Sequence, residues 1–418
     1  MNRIRAWAAL GLVLAFVPRP AAPQEAGLTL EQAVEVALAR NPDVLAARKA
    51  VDAARGRTLQ LGARPAPQLA LSLEGLPLPG LRKAGDEAEF SLGLEQVFEY
   101  PGKRALRAEV GRTGESIAQA ELESLRLRLA AAVKKAYWQA AFARLAVAAL
   151  ERSEELADAL LQNIQAKYQA GGAAYADLLR TKAEKARLRN QILEARKERE
   201  TARADLNVLL GRPADEAFAL LTEMTYRPLA QSLAGLKDAA RTTRPSFKAA
   251  ALRKERAALA VKLAGLGRRP DFVAGFFLPS RRSNAWGVSF GLSLPFVWTE
   301  AAKGGLLEAE AEAELGRLAA EALERRLDAA LDRVYAEARA AEEQVRVFER
   351  ELLADMKDEL KISLEYFQVG KAEFSGLLDL YRSYVLAEVE RLRALYIYLA
   401  SLADLEAAGE ELDAWRIP

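Results

Sequence analysis

The sequence predicts a mainly α protein with a small β part, in which a duplicated unit supplies long helical hairpins and four strands. Three observations carry this. One turn is written twice, YQAGGAAYADLL at 168–179 and FQVGKAEFSGLL at 367–378. A proline-free helical stretch precedes each copy, over 102–168 and 300–366. Earlier in each copy the hydrophobic period changes from about 3.6 to 2 for two successive segments.

Composition agrees. The 418 residues are 51% hydrophobic with only 16 prolines and 26 glycines, and alanine, leucine, glutamate and arginine dominate, as in long helices and coiled coils. Formal charge is +2, and Arg3, Arg5 and Arg19 lie in the first twenty residues, so no basic field for nucleic acid is indicated. Histidine and cysteine are absent, which removes the commonest metal ligands, the usual general base and any thiol nucleophile. No nucleophile stands beside a base and no glycine loop cradles a phosphate, so neither a catalytic centre nor a cofactor is expected, and no metal site.

The N-terminus has a leader's layout. MNRIR is positive, AWAALGLVLAFV is apolar, and PRPAAPQEAG supplies small residues and helix breakers, so residues 1–24 read as a signal peptide cut between Ala21 and Ala26. The alternative is an uncleaved anchor. Without cysteine no lipid can be attached, and no later run of eighteen apolar residues predicts a transmembrane helix.

The first copy spans 25–210. A helix over Leu30 to Arg64 starts after Thr29, with Gln32 completing a capping box. Its segment ARNPDVLAARKA has a counterpart in TTRPSFKAAALRKE of the second copy, 236–411. Proline-marked exits follow, ARPAPQ at 63–68 and GRRPDF at 267–272. LALSLEG (69–75) and EFSLGLEQVF (89–98) then alternate apolar and polar residues, as do DFVAGFFL (271–278) and WGVSFGLSLPFVW (286–298), so each copy contributes a hairpin of about ten residues per strand, long enough to cross a bilayer when tilted. Phe90, Phe98, Tyr100, Phe277, Trp286, Phe296 and Trp298 lie near these strands as candidates for aromatic girdles, with core packing as the alternative.

About 67 helical residues reach about 100 Å. Leu122, Leu125, Leu129, Val133, Ala136 and Ala140 recur at threes and fours, the surface of a helix packed on helices in water. The doubled turn then reverses the chain into returning helices at 176–210 and 376–411. Residues 211–235 are the main break in helical pattern and fit a linker wrapped at mid-height, as does the tail, 412–418. Four strands cannot close a barrel and cannot stay open in lipid. Three copies make twelve, and a threefold ring of heterologous contacts closes.

LTLEQAVEVALARNPDVLAAR at 28–48, KYQAGGAAYADLL at 167–179, YFQVGKAEFSGLL at 366–378 and ADLNVLLG ending at Gly211 resemble the outer-membrane efflux proteins, the TolC-like channels, over almost the whole mature chain. The resemblance implies a homotrimer, a twelve-stranded barrel in outer-membrane lipid, a periplasmic helical tunnel, and docking to a periplasmic adapter and an inner-membrane pump, RND-type favoured. FEYPGKRALRAE at 98–109 is similar to the glycine-lysine-arginine signature of the heavy-metal branch, which favours metal cations slightly over drugs as cargo. A plain strand-to-helix corner, with Lys103 and Arg104 facing lipid phosphates or solvent, is the alternative. The family's aperture carboxylates fall on Asp177 and Asp379. Helix-dipole stabilisation is the other reading of both. The acidic residue expected three positions before Asp379 is Gly376, and the aromatic hydroxyl expected at 367 is Phe367, so closure is expected to involve Glu373, Arg382 or Tyr366. Tyr168, Gly171, Gly172, Ala173, Phe367, Gly370 and Ala372 become candidates for the adapter-docking tip, although any tight turn needs small residues. A periplasmic coiled-coil adapter or scaffold and a type I polypeptide secretion duct are the competing readings.

Overall fold

The computed structural model describes residues 27–74, 89–278, 286–295, 300–349 and 352–408. The leader, the tail, Phe296 and Trp298 lie outside the described residues. In chain order the elements are β1 (Gly27–Leu28), α1 (Leu30–Arg40), α2 (Pro42–Gly62), β2 (Gln68–Glu74), β3 (Glu89–Phe98), α3 (Lys103–Gln169), α4 (Tyr175–Leu209) and β4 (Ala219–Leu220). They continue with α5 (Leu233–Thr243), α6 (Pro245–Gly265), β5 (Phe272–Phe277), β6 (Gly287–Leu292), α7 (Glu300–Glu349), α8 (Leu352–Gln368) and α9 (Phe374–Ala407).

The capping box forms as expected: the Gln32 amide N–H donates to Thr29 Oγ1, and the Thr29 amide donates to Gln32 Oε1 at 3.0 Å. The single helix expected over Leu30 to Arg64 is instead two helices, α1 and α2. Pro42 forces the preceding residue out of the helical region, and Asn41 sits at ψ 128°, where its side chain caps Asp43 N and its amide donates to Leu209 O at 3.1 Å. Arg244 precedes Pro245 in the same way, at ψ 127°, and its guanidinium donates to the carbonyls of Leu405 and Glu406 at the end of α9. Both interruptions thus bind the end of a returning helix.

The strands are shorter than ten residues except β3. They form one antiparallel sheet in the order β2-β3-β5-β6, so the β2-β3 and β5-β6 hairpins join edge to edge through β3 and β5. The long α3 packs between α2 and α6 on the sheet side and between α4 and α9 on the turn side, while α7 packs on both α6 and α9. The helices therefore form a layer, with α2 and α4 along one border and α7 and α8 along the other.

α2 and α3 approach closely because Gly111 has no Cβ: one built there would lie 2.9 Å from Thr58 Cα. Gly111→Val is expected to lower stability by about 1–3 kcal/mol through overpacking, read as a lower urea midpoint at unchanged slope.

The main core lies at mid-height, around Val133, Tyr137, Leu206, Leu210 and Tyr398. There the Tyr137 hydroxyl donates to Leu28 O and accepts from Thr222 N, both at 2.9 Å, beside the short parallel pair of β1 and β4. The linker is held a second time by Glu342 of α7, a fully buried carboxylate accepting from Tyr226 Oη, Leu229 N, Arg339 and Arg346.

Candidate functional site

Cross-strand register sorts the sheet into two unlike faces. Leu69, Leu71, Leu73, Phe90, Leu94, Phe98, Phe272, Phe276, Val288, Phe290 and Leu292 share one face and are all exposed, Phe290 at 83%. The opposite face holds Ala70, Ser72, Ser91, Gly93, Glu95, Gly275, Ser289 and Gly291, with Ser72 and Ser91 hydrogen-bonded at 2.6 Å. A soluble sheet hides its apolar face; this one presents it.

The aromatic candidates divide accordingly. Phe90 and Phe98 stand on the apolar face, and exposed Trp286 lies 6.1 Å, ring to ring, from Phe276. Phe277 is on the other face, because register pairs it with Gly93 and Gly287, and its ring occupies the space that their missing side chains leave. Period-2 alternation makes neighbours 276 and 277 face opposite ways. Tyr100 is half-buried at the sheet-to-helix corner with Arg269 over its ring.

That corner departs from the expectation for Lys103. Gly102, at φ +97°, turns the chain, and Lys103 Nζ donates at 2.9 Å to both Asp271 Oδ1 and Arg269 O, while Tyr100 N donates to the same carboxylate at 2.7 Å. Lys103 therefore ties the start of α3 to the segment entering β5 instead of facing lipid or solvent; Arg104 is exposed.

At the far end both turns are Schellman motifs, in which two amides past the helix bond back to its last carbonyls. Gly172 N donates to Lys167 O and Gly171 N to Tyr168 O; Lys371 N donates to Tyr366 O and Gly370 N to Phe367 O. Gly171 and Gly370 hold φ of +75° and +77°. A Cβ there meets nothing within 4 Å, so Gly171→Ala is expected to cost only backbone strain, about 1 kcal/mol, visible as faster amide exchange confined to the tip.

Tyr168, Gly171, Gly172 and Gly370 are exposed, and Ala173 and Ala372 half-buried. Phe367 is not part of that surface: it is buried against Phe374, and Lys167 caps both its ring and its carbonyl. Glu373 is the N-cap of α9 without a side-chain bond, and Tyr366 is exposed. Asp177 lies in the first turn of α4 with Arg180 at 3.8 Å, whereas Asp379 lies beyond the first turn of α9 and is largely exposed.

Sequence reading missed Glu184. It is 8% exposed, and Arg382 donates to its Oε2 from Nε at 2.8 Å and approaches it from Nη2 at 2.7 Å, while reaching Asp379 at 3.4 Å. Arg382 therefore bridges α4 to α9, and the bond to Glu184 holds its guanidinium above the ordinary value. Beside it, burial raises the Tyr381 phenol, which donates to Ser153 O at 2.8 Å and so fastens α9 to α3. A groove of about 400 Å³ runs between α4 and α9, floored by Phe142, Ala146 and Leu150. A carboxylate two residues after Lys182 in a charge-rich helix carries no local signal; only its burial marks it. Among the described residues no group of acidic side chains is placed to hold a metal ion, and no helix is long and apolar enough to cross a membrane.

A mostly helical chain with a four-stranded sheet at one end and two helical hairpins at the other has the fold of outer-membrane channels. It matches OprN with a TM-score of 0.76 at 21% identity, covering 91% of this chain and 89% of that one, and CusC with 0.77 at 18%, covering 91% of each. VceC of Vibrio cholerae matches with 0.73 at 19%, over 90% of this chain and 96% of that one. Residues 33–212 match the outer membrane efflux protein family. The cobalt-zinc-cadmium resistance protein CzcC of Cupriavidus metallidurans is 26% identical over 219 residues, 51% of each chain, so the match spans about half of that relative's length.

Proposed function

We propose that this chain is the outer-membrane component of a tripartite efflux system, a passive trimeric exit duct. The observation that carries the reading is the exposed apolar face of a sheet whose outer strands, β2 and β6, have open edges. In lipid an open edge costs several kcal/mol per unpaired backbone group, and three copies joined β2 to β6 remove every edge in a twelve-stranded barrel. The helical layer supports the same closure. Its two borders carry exposed leucines, Leu45 and Leu59 on α2 and Leu307, Leu315 and Leu318 on α7, and are positioned to meet between neighbouring copies.

Residues 25–210 and 236–411 act as two copies of one unit, with the helices forming a periplasmic tunnel. The tip docks a periplasmic adapter, which connects the duct to an inner-membrane pump. Cargo is solute handed on by that pump, with metal cations favoured by the likeness to CzcC. At the aperture, Arg382 holds α9 to α4 through Glu184, and opening requires that bridge to break; Asp379 and Asp177 supply charge at the entrance.

Purified protein in detergent should run as a trimer by mass and form pores in a planar bilayer. A monomer that never inserts sinks the duct. Gly172→Trp, placed where a Cβ approaches nothing nearer than Lys167 O at 3.7 Å, should leave pores intact and abolish resistance in cells. Full resistance from that variant would remove Gly172 from the docking surface.

A further inference from the structure

The charged residues of the four strands are all glutamates, Glu74, Glu89 and Glu95, and no lysine or arginine stands among them. All three occupy register positions of the same parity as Ser72, Ser91 and Ser289. In backbone register Glu74 is opposite Glu89.

Glu95 is the best defined of the three. It heads a lateral row, Gln68, Glu95, Gly275 and Ser289, that is polar or small throughout. The rows on either side are apolar or glycine: Val97, Val273 and Gly291 on one, Ala70, Gly93, Phe277 and Gly287 on the other. Gly275 leaves room for the carboxylate arm to lie across β5, since a Cβ there would stand 3.2 Å from Glu95 Cγ and 3.7 Å from Oε1. Arg107 neutralises the nearby Glu99, whereas Glu95 has no cationic partner among the described residues.

We infer that Glu95 is a selectivity-determining residue of the pore, giving the barrel section a preference for cations. The inference rests on the duct reading, which puts this face toward the lumen. Three copies then place three carboxylates in one ring, with no positive side chain on the strands to cancel their field. Range decides the conditions of the test. The field extends only about 10 Å in 0.1 M salt but about 30 Å in 0.01 M, so a wide lumen is selective at low salt.

The experiment is the potassium-to-chloride permeability ratio of the full protein, from reversal potentials across a salt gradient averaging about 10 mM. Glu95→Gln should lower the ratio at least two-fold, and Gln68→Glu, adding charge to the same row, should raise it. In about 1 M salt, where the field falls off within about 3 Å, the variants should match the wild type. An unchanged ratio in both variants, with trimer mass and high-salt conductance intact, overturns the inference while the duct stands. So does an equal shift in Ser72→Ala, which alters the same face without charge. A wild-type protein that forms no pore overturns the duct reading and this inference with it.

Discussion

Phe290→Arg is expected to keep the protein out of the membrane that the proposed barrel would span, while leaving its helical layer folded. Phe290 is 83% exposed on β6, paired with Ala274, and surrounded by Phe272, Phe276, Val288 and Leu292 on the same face. In the proposed barrel an arginine facing lipid near mid-depth costs about 2–4 kcal/mol per chain, and the proposed trimer would carry three. Among the described strand residues nothing on that face offers a counter-charge. The measurement is membrane fractionation with helical content by circular dichroism. Wild-type insertion of Phe290→Arg, or of the equivalent Leu71→Arg, would mean that the apolar face does not meet lipid.

The second large effect is expected at Glu342. Its Oε1 accepts from Tyr226 Oη at 3.0 Å, Leu229 N at 3.2 Å and Arg346 Nη2 at 3.0 Å, and its Oε2 from Arg339 at 2.8 Å. The Tyr226 ring lies 5.6 Å from that of Tyr398, tilted by 50°, and the Tyr398 hydroxyl donates to Arg227 O. One carboxylate therefore fastens linker, α7 and α9 together. Glu342→Ala should cost about 3 kcal/mol, the lower end for breaking a buried ion pair, because both arginines are partly solvated and rehydrate when released. Glu342→Gln keeps the shape and should cost less.

The pH dependence has a definite sign. Burial pushes the Glu342 carboxyl up, but Arg339, Leu229 N, Tyr226 and Arg346 together outweigh it and hold it below the usual range. A depressed folded-state value stabilises the protein above the unfolded carboxylate value near pH 4, and that contribution is lost as pH falls through the folded value. The stability gap between wild type and Glu342→Gln, from urea midpoints, should be full at pH 7 and narrow below about pH 4. A gap that widens in acid would refute the assignment.

Legibility in the sequence followed the range of the interaction. The capping box at Thr29 and Gln32, the proline-free α3 and the two glycine turns depend on residues within a few positions of each other, so spacing alone announced them. Asn41 and Arg244 were half-legible: each precedes a proline, but ARNPDV sits inside an otherwise helical pattern, and the interruption fell within the expected helix. The apolar side of each strand was visible as alternation, yet grouping Phe277 with Phe90 and Phe98 failed because proximity in sequence does not give side-chain parity.

Most helix and strand segments and the two chain reversals were written in local sequence, because propensity, hydrophobic period and turn chemistry act over a few residues. Packing alone set that β3 joins β5, that Lys103 reaches Asp271, that Arg382 pairs with Glu184 across two hairpins, and that Glu342 holds residues 226–229. Those contacts join residues more than a hundred positions apart or bury a charge, and they exist only after packing has chosen which faces of otherwise similar helices and strands meet.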